Sequence, residues 1–228
     1  MKFLFDLGGV FFNWDPKHFY QSIFSSSKEM DYFLTHICND SWNIKQDAGR
    51  PIKDAEIELI NLYPKYKKEI LMYYSNHRKM IKNTYLSSIE ILNELHSRNY
   101  QSYVLSNWSS ETFIGMIDEY SFLKKFDGMI ISGNEKLIKP DPEIFELAIS
   151  RFNLIPEKTI FIDDKLENID SAKKLSFHNI SYFKPIPTTS SGKLIRQRDP
   201  YQALISEDVI IACSKPVELA KILIIYKD

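Results

Sequence analysis

A chain of 228 residues that is 44% hydrophobic and 14% aromatic can bury a sizeable core, as one large domain or as a domain carrying an insertion. A formal charge of −1 leaves no global field for nucleic acid or anionic lipid, because backbone-phosphate binding needs clustered Lys and Arg. Cys38 and Cys213 are too few for a disulfide framework, which makes a reducing cytoplasm the expected home, and no apolar run approaches the ~20 residues that span a bilayer.

Residues 2–5 form a short apolar-rich run that reads as a strand, and Gly8-Gly9 turns the chain after it, with Asp6 at the junction. From residue 16 to about 83 the period becomes helical. Stretches 16–24, 28–38, 53–62 and 66–81 carry apolar residues at three-and-four spacing, and no strand is expected among them. Beyond residue 83 helices (87–98, 111–119, 142–152, 167–175) alternate with short apolar strands (103–105, 129–131, 159–162, 180–183). That alternation predicts the α/β class, with a Rossmann-like parallel sheet flanked by helices and joined by right-handed crossovers. An all-helical cap domain, residues 16–83, then interrupts a core built from residues 1–15 and 84–228. In the tail, residues 184–207 read as a loop insertion whose basic cluster at 193–198 is a solvated face; a strand at 208–212 and a helix at 216–225 follow.

Four polar sites end or follow apolar runs: Asp6, Ser106 in Val104-Leu-Ser-Asn107, Lys139 in Lys139-Pro-Asp-Pro142, and the pair in Ile160-Phe-Ile-Asp-Asp164. Each alone is ordinary capping or turn chemistry. Open parallel sheets, however, bind ligands outside the carboxyl ends of their strands, at a switch in strand order. Four such sites on successive α/β units therefore converge on one anion- and metal-binding centre.

In this order and spacing, the run ending in Asp6-Leu-Gly-Gly-Val10, then Ser106, Lys139 and Asp163-Asp164, resembles the haloacid dehalogenase-like hydrolases. The likeness covers residues 1–14 and 83–183, and it implies that the helical block is the mobile cap such enzymes insert after the first motif. Segments Trp42-Asn-Ile-Lys-Gln-Asp-Ala-Gly-Arg50 and Leu105-Ser-Asn-Trp-Ser109 are similar to a bacterial subgroup whose members carry phosphatase or dehalogenase labels.

The chemistry follows from the residue types. A carboxylate nucleophile splits a hard hydrolysis into two displacements through a covalent acyl phosphate, and Asp6 is the expected nucleophile. Attack on a phosphate sets anion against anion, and two unit charges ~4 Å apart repel by about 4 kcal/mol at an effective dielectric near 20. Mg²⁺ held by Asp6, the Gly8 main-chain carbonyl and Asp163 would cancel that charge, with Asp164 holding metal-bound water or orienting Lys139. Lys139 adds a point charge, and Ser106 offers a hydroxyl to a phosphoryl oxygen, beside Asn107 as a further substrate ligand. The resemblance adds a discriminator: metal-independent dehalogenating members lack the acid pair, so Asp163-Asp164 favours phosphoryl transfer.

One position departs from the pattern. Most phosphatases of the superfamily carry a second Asp two residues after the nucleophile to protonate the leaving oxygen; this chain has Gly8. Either a cap residue such as Asp15, His18, Asp47 or Arg50 supplies or relays the proton, or the substrate has a good leaving group, as a sugar 1-phosphate or acyl phosphate would; the second is the expectation. Trp14, Trp42, Gln46, Asp47 and Arg50 are the cap candidates for selecting a small polar metabolite, with packing as the competing role of the tryptophans. The whole reads as a Mg²⁺-dependent phosphatase of a small phosphate ester, monomeric or homodimeric, with no nucleic-acid or membrane partner. The alternatives are a 2-haloacid dehalogenase-type carbon–halogen hydrolase and a non-catalytic phospho-metabolite binding protein.

Overall fold

The computed structural model describes residues 1–180, and the expectations for the tail lie outside them. Among these residues the strands are β1 (Lys2–Phe5), β2 (Phe12–Trp14), β3 (Ile81–Thr84), β4 (Gln101–Ser106), β5 (Gly128–Ile131), β6 (Thr159–Ile162) and β7 (His178–Ile180). Five of them form one parallel sheet in the order β5-β4-β1-β6-β7, while β2 pairs antiparallel with β3.

The sheet is apolar on both faces, which is why its strands read as continuous runs. Phe3 and Phe5 of β1 join Val104 and the helix Leu86–Ser97, through Ile91, Leu92 and Leu95, on one face. Leu4, Tyr103 and Leu105 point the other way, against Phe145 and Ala148 of helix Pro142–Phe152 and Ile169 and Ala172 of helix Leu166–Lys174. From the central β1 the sheet grows through β4 and β5 on one side, and the chain then crosses to β6 and β7 on the other. The reversal of strand order therefore falls beside the carboxyl end of β1, which is where Asp6 stands.

The inserted segment has its own interior, with Tyr20, Phe33, Ile37, Trp42, Leu59, Ile70 and Tyr73 buried together. Four local expectations change. The helix expected over 66–81 ends at Ser75; a 3₁₀ turn, His77–Met80, leads into β3. β2 and β3 are thus strands where none was expected, because runs of three and four residues are too short to display a period of two. Helix 111–119 is two short pieces, Ser110–Phe113 and Met116–Glu119, since Gly115 takes φ 80° between them. A helix not expected, Asp40–Asp47, starts where the Asn39 side chain accepts the Trp42 N–H at 2.9 Å. Among the described residues no helix is long and apolar enough to cross a membrane.

Candidate active site

Asp6 continues β1 by one ladder bond, its N–H donating to Ile162 O at 2.9 Å. Ser106, the last residue of β4, donates its hydroxyl to Asp6 Oδ1 at 2.6 Å. Lys139 Nζ reaches the same oxygen at 2.9 Å, Asp163 Oδ2 at 2.7 Å and Leu105 O at 2.7 Å, so all three ammonium protons are used. Lys139 is 2% exposed and Asp163 0%. Burial alone would discharge the lysine, but attraction to Asp163 and Asp6 outweighs it and raises the pKa. Asp163 also accepts from Lys165 N at 2.8 Å and from Asn168 Nδ2. Burial still pushes its carboxyl up, against the pull of Lys139. Asp164 is pushed up to about 7 by burial and then by the charges of Asp6 and Asp163.

The residues fit a divalent cation. One carboxylate oxygen each from Asp6, Asp163 and Asp164 lies within 4.8 Å of the others, a set of hard oxygen donors carrying more negative charge than the one buried ammonium balances. Gly9, at φ +68°, lies against this group, and a Cβ there would fall onto the Asp164 carboxyl. A Cβ at Gly8 would stand 3.9 Å from Asp6 Oδ2, so position 8 faces the Asp6 carboxylate and offers no acid.

Several residues expected at the site lie elsewhere or are already engaged. Both ends of the Asn107 amide are bound to the Lys139 backbone, Nδ2 to its O at 2.8 Å and Oδ1 from its N–H at 2.9 Å, so Asn107 clamps the lysine rather than standing free for substrate. Trp42 and Gln46 are corrected to the cap interior: the indole donates to Ala55 O, and Gln46 Nε2 donates to Trp42 O and to the Tyr74 hydroxyl. Helical spacing turns both toward the buried face of their helix. Trp14 ends β2 and packs its ring, tilted, 5.7 Å from His77, which is 5.6 Å from Trp108. Asp15 accepts the Lys17 N–H at 2.8 Å, His18 Nδ1 lies 3.0 Å from Met80 O, and Arg50 pairs with Glu58 at 2.7 Å.

Of the cap residues singled out, Asp47 is hydrogen-bonded to the core. Its carbonyl accepts from Ser132 Oγ at 2.6 Å and its carboxyl from the Ser109 N–H. Burial pushes that carboxyl up to about 7, against the pull of Lys165. Ser132, Ser109 and Asn168 join these contacts without having been among the residues expected from the sequence. Ser132 had a usable signal, since it follows β5 much as Ser106 ends β4; Asn168, five residues past Asp163, had none. A separate cleft of about 330 Å³, walled by Ile52, His77, Arg78, Glu111 and Thr112, holds none of the expected residues.

Comparison with known proteins adds an independent line. The haloacid dehalogenase-like hydrolase family matches residues 4–181. The chain is similar to the sesquiterpene phosphatase astK of Aspergillus oryzae, 25% identical over 176 residues that cover 75% of this chain and 83% of that protein. It is also similar to the phosphorylated carbohydrates phosphatase of Thermotoga maritima, 20% identical over 91% of this chain and 95% of that one. A shorter match, 24% identical over 98 residues and 43% of this chain, is to (S)-2-haloacid dehalogenase 4A of Burkholderia cepacia, 42% of which it covers. Among solved structures, a HAD-family enzyme of Bacteroides thetaiotaomicron in complex with magnesium and inorganic phosphate superposes with a TM-score of 0.62 at 22% identity, over 83% of this chain and 97% of that one, a likeness of fold.

Proposed function

Because the chain belongs to the haloacid dehalogenase-like hydrolases, we propose that it is a Mg²⁺-dependent phosphatase of a small phosphorylated metabolite, acting through an aspartyl phosphate on Asp6. The observation that carries the reading is the placing of Asp6, Asp163 and Asp164 around one point with the buried ammonium of Lys139 on the same carboxylates. Ser106 and Lys139 both bind Asp6 Oδ1, which leaves Oδ2, with no hydrogen bond among the described residues, to strike phosphorus. Lys139 holds its charge between nucleophile and phosphoryl group, and the Ser106 hydroxyl is within reach of a phosphoryl oxygen. Asp6, the Gly8 carbonyl and Asp163 would hold Mg²⁺, with Asp164 beside them; the ion supplies charge neutralisation for an attack of anion on anion. Water then cleaves the acyl phosphate and returns Asp6.

A sugar phosphate with a good leaving group, such as a 1-phosphate, is the first substrate to try. Gly8 brings no acid of its own, so an ester with a good leaving group asks least of any proton source elsewhere in the site, and the phosphatase of Thermotoga maritima, by its name, acts on phosphorylated carbohydrates. A phosphate-release screen over many metabolites, with and without Mg²⁺, tests the proposal. Turnover is expected to need the metal and to fall to background in Asp6→Asn; turnover that survives both changes overturns it. The dehalogenase match and Gly8 favour a second reading, carbon–halogen hydrolysis. A halide leaves with a single charge and requires no divalent cation, so three clustered carboxylates would be surplus there. Halide released from 2-haloacids in the presence of a chelator would establish it in place of the first.

A further inference from the structure

Resting on the phosphatase reading, we propose that Asp47, carried by the cap, protonates the leaving-group oxygen and later takes a proton from the attacking water, the work for which Gly8 has no side chain. In the first step Asp6 Oδ2 bonds to phosphorus, the ester P–O bond breaks, and its electron pair collects the Asp47 proton to give a neutral alcohol. In the second, Asp47 carboxylate removes a proton from water as the water oxygen bonds to phosphorus and the acyl phosphate opens. Inorganic phosphate leaves, and Asp6 and protonated Asp47 are restored.

The structure separates the four cap candidates by what each already does. Asp15 caps the turn at Lys17, His18 is bound to the Met80 carbonyl, and Arg50 pairs with Glu58. Asp47 is different in position. It ends the helix Asp40–Asp47 and is fastened to the two loops that leave β4 and β5, through the Ser109 N–H and the Ser132 hydroxyl. Ser109 is three residues beyond Ser106, so the cap acid hangs over the loop that supplies the nucleophile's own hydrogen-bond partner. Asp47 remains partly exposed, as a group that must meet substrate requires.

Its orientation is fixed from behind. Asn43 Nδ2 donates to Asp47 Oδ2 at 3.2 Å, the Tyr74 hydroxyl donates to Asn43 Oδ1 at 2.9 Å, and Gln46 donates to that hydroxyl at 2.8 Å. Gln46 and Tyr74 are thus positioning residues for the acid. The charged groups that act on Asp47 are Lys165, which favours its anion, and Asp6 and Asp40, which oppose it. Burial is the largest influence, and the balance near 7 populates both protonation states at neutral pH, as a group that gives and then takes a proton needs.

The test compares Asp47→Asn with wild type, in Mg²⁺, on alkyl phosphates and on p-nitrophenyl phosphate. Alkyl ester kcat/KM is expected to fall ~10²–10⁴-fold, the usual worth of a placed general acid, while the nitrophenyl ester, whose leaving group needs no proton, loses little. Wild type alone gives a second reading that needs no variant. Raising the pH through about 7 should depress alkyl ester turnover and spare the nitrophenyl ester. An equal loss on every ester, or a wild-type pH profile blind to the leaving group, overturns the assignment and leaves the phosphatase reading standing. A wild type inert toward all phosphate esters removes both.

Discussion

Burial drives the His77 imidazole down to about 3, with the neighbouring Arg78 charge adding to the effect. The unfolded chain binds that proton near the ordinary value of about 6.5, so below it the unfolded state gains a proton the native state refuses. Stability should therefore decline by about 1.4 kcal/mol per pH unit from this group as pH drops from 6.5 toward 3. Urea midpoints of wild type and His77→Phe between pH 7 and 5 check it: the variant is expected to show the shallower decline, and parallel lines refute the origin. Lys139 is the opposite case, a buried charge kept by its partners. Lys139→Met removes the cation from Asp6 and Asp163 together, so a loss of about 3–5 kcal/mol is expected in denaturant melts, along with phosphatase turnover. That Asp6, Ser106, Lys139 and Asp163 meet was legible because the sheet gathers the ends of its strands. The partners of Asn107, Trp42 and Gln46 were not, since a polar side chain's choice of backbone or hydroxyl partner depends on residues up to 32 positions away.

At the scale of elements, the sheet strands were readable from apolar runs covered on both faces, whereas the helix at 40–47 was hidden by its polar composition and revealed by its Asn39 cap. The contact between cap and sheet loops was hard to read, because its polar links, Ser132 Oγ on the Asp47 carbonyl, Glu111 on the Ile52 N–H and Arg78 on the Thr112 carbonyl, join residues far apart in the chain. Beneath it the loops that leave β4 and β5 press together at Gly133, where a Cβ would collide with the backbone of Ser110 and Trp108, while Gly49 of the cap approaches the Gly133 carbonyl from above. Gly133→Ala is therefore expected to cost about 1–3 kcal/mol and to lower kcat, as the loop holding Ser109 shifts away from Asp47. A thermal melt read beside the rate tests this, and an unchanged melt with unchanged rate counts against the packing described.

At the scale of the molecule, the two faces of the sheet and the helical insert form three separate apolar interiors among the described residues. The separate interior of the insert has a trace in the sequence, where the hydrophobic period changes after the first strand and changes back before the second sheet strand. The antiparallel pair β2 and β3 left no trace in the sequence because its strands are three and four residues long. Those two strands lie side by side, with the Asp15 N–H on Met80 O at 3.1 Å and the Asn13 amide on Asn83 at 3.0 Å. Entry and exit of the insert are therefore neighbours, and its departure point on the sheet is indifferent to what is carried between them. An insert fastened in this way is an interchangeable module: on the proposed reading, the sixty-odd residues between those strands, with the proposed proton source among them, are exchangeable while the carboxylate cluster at the sheet stays in register.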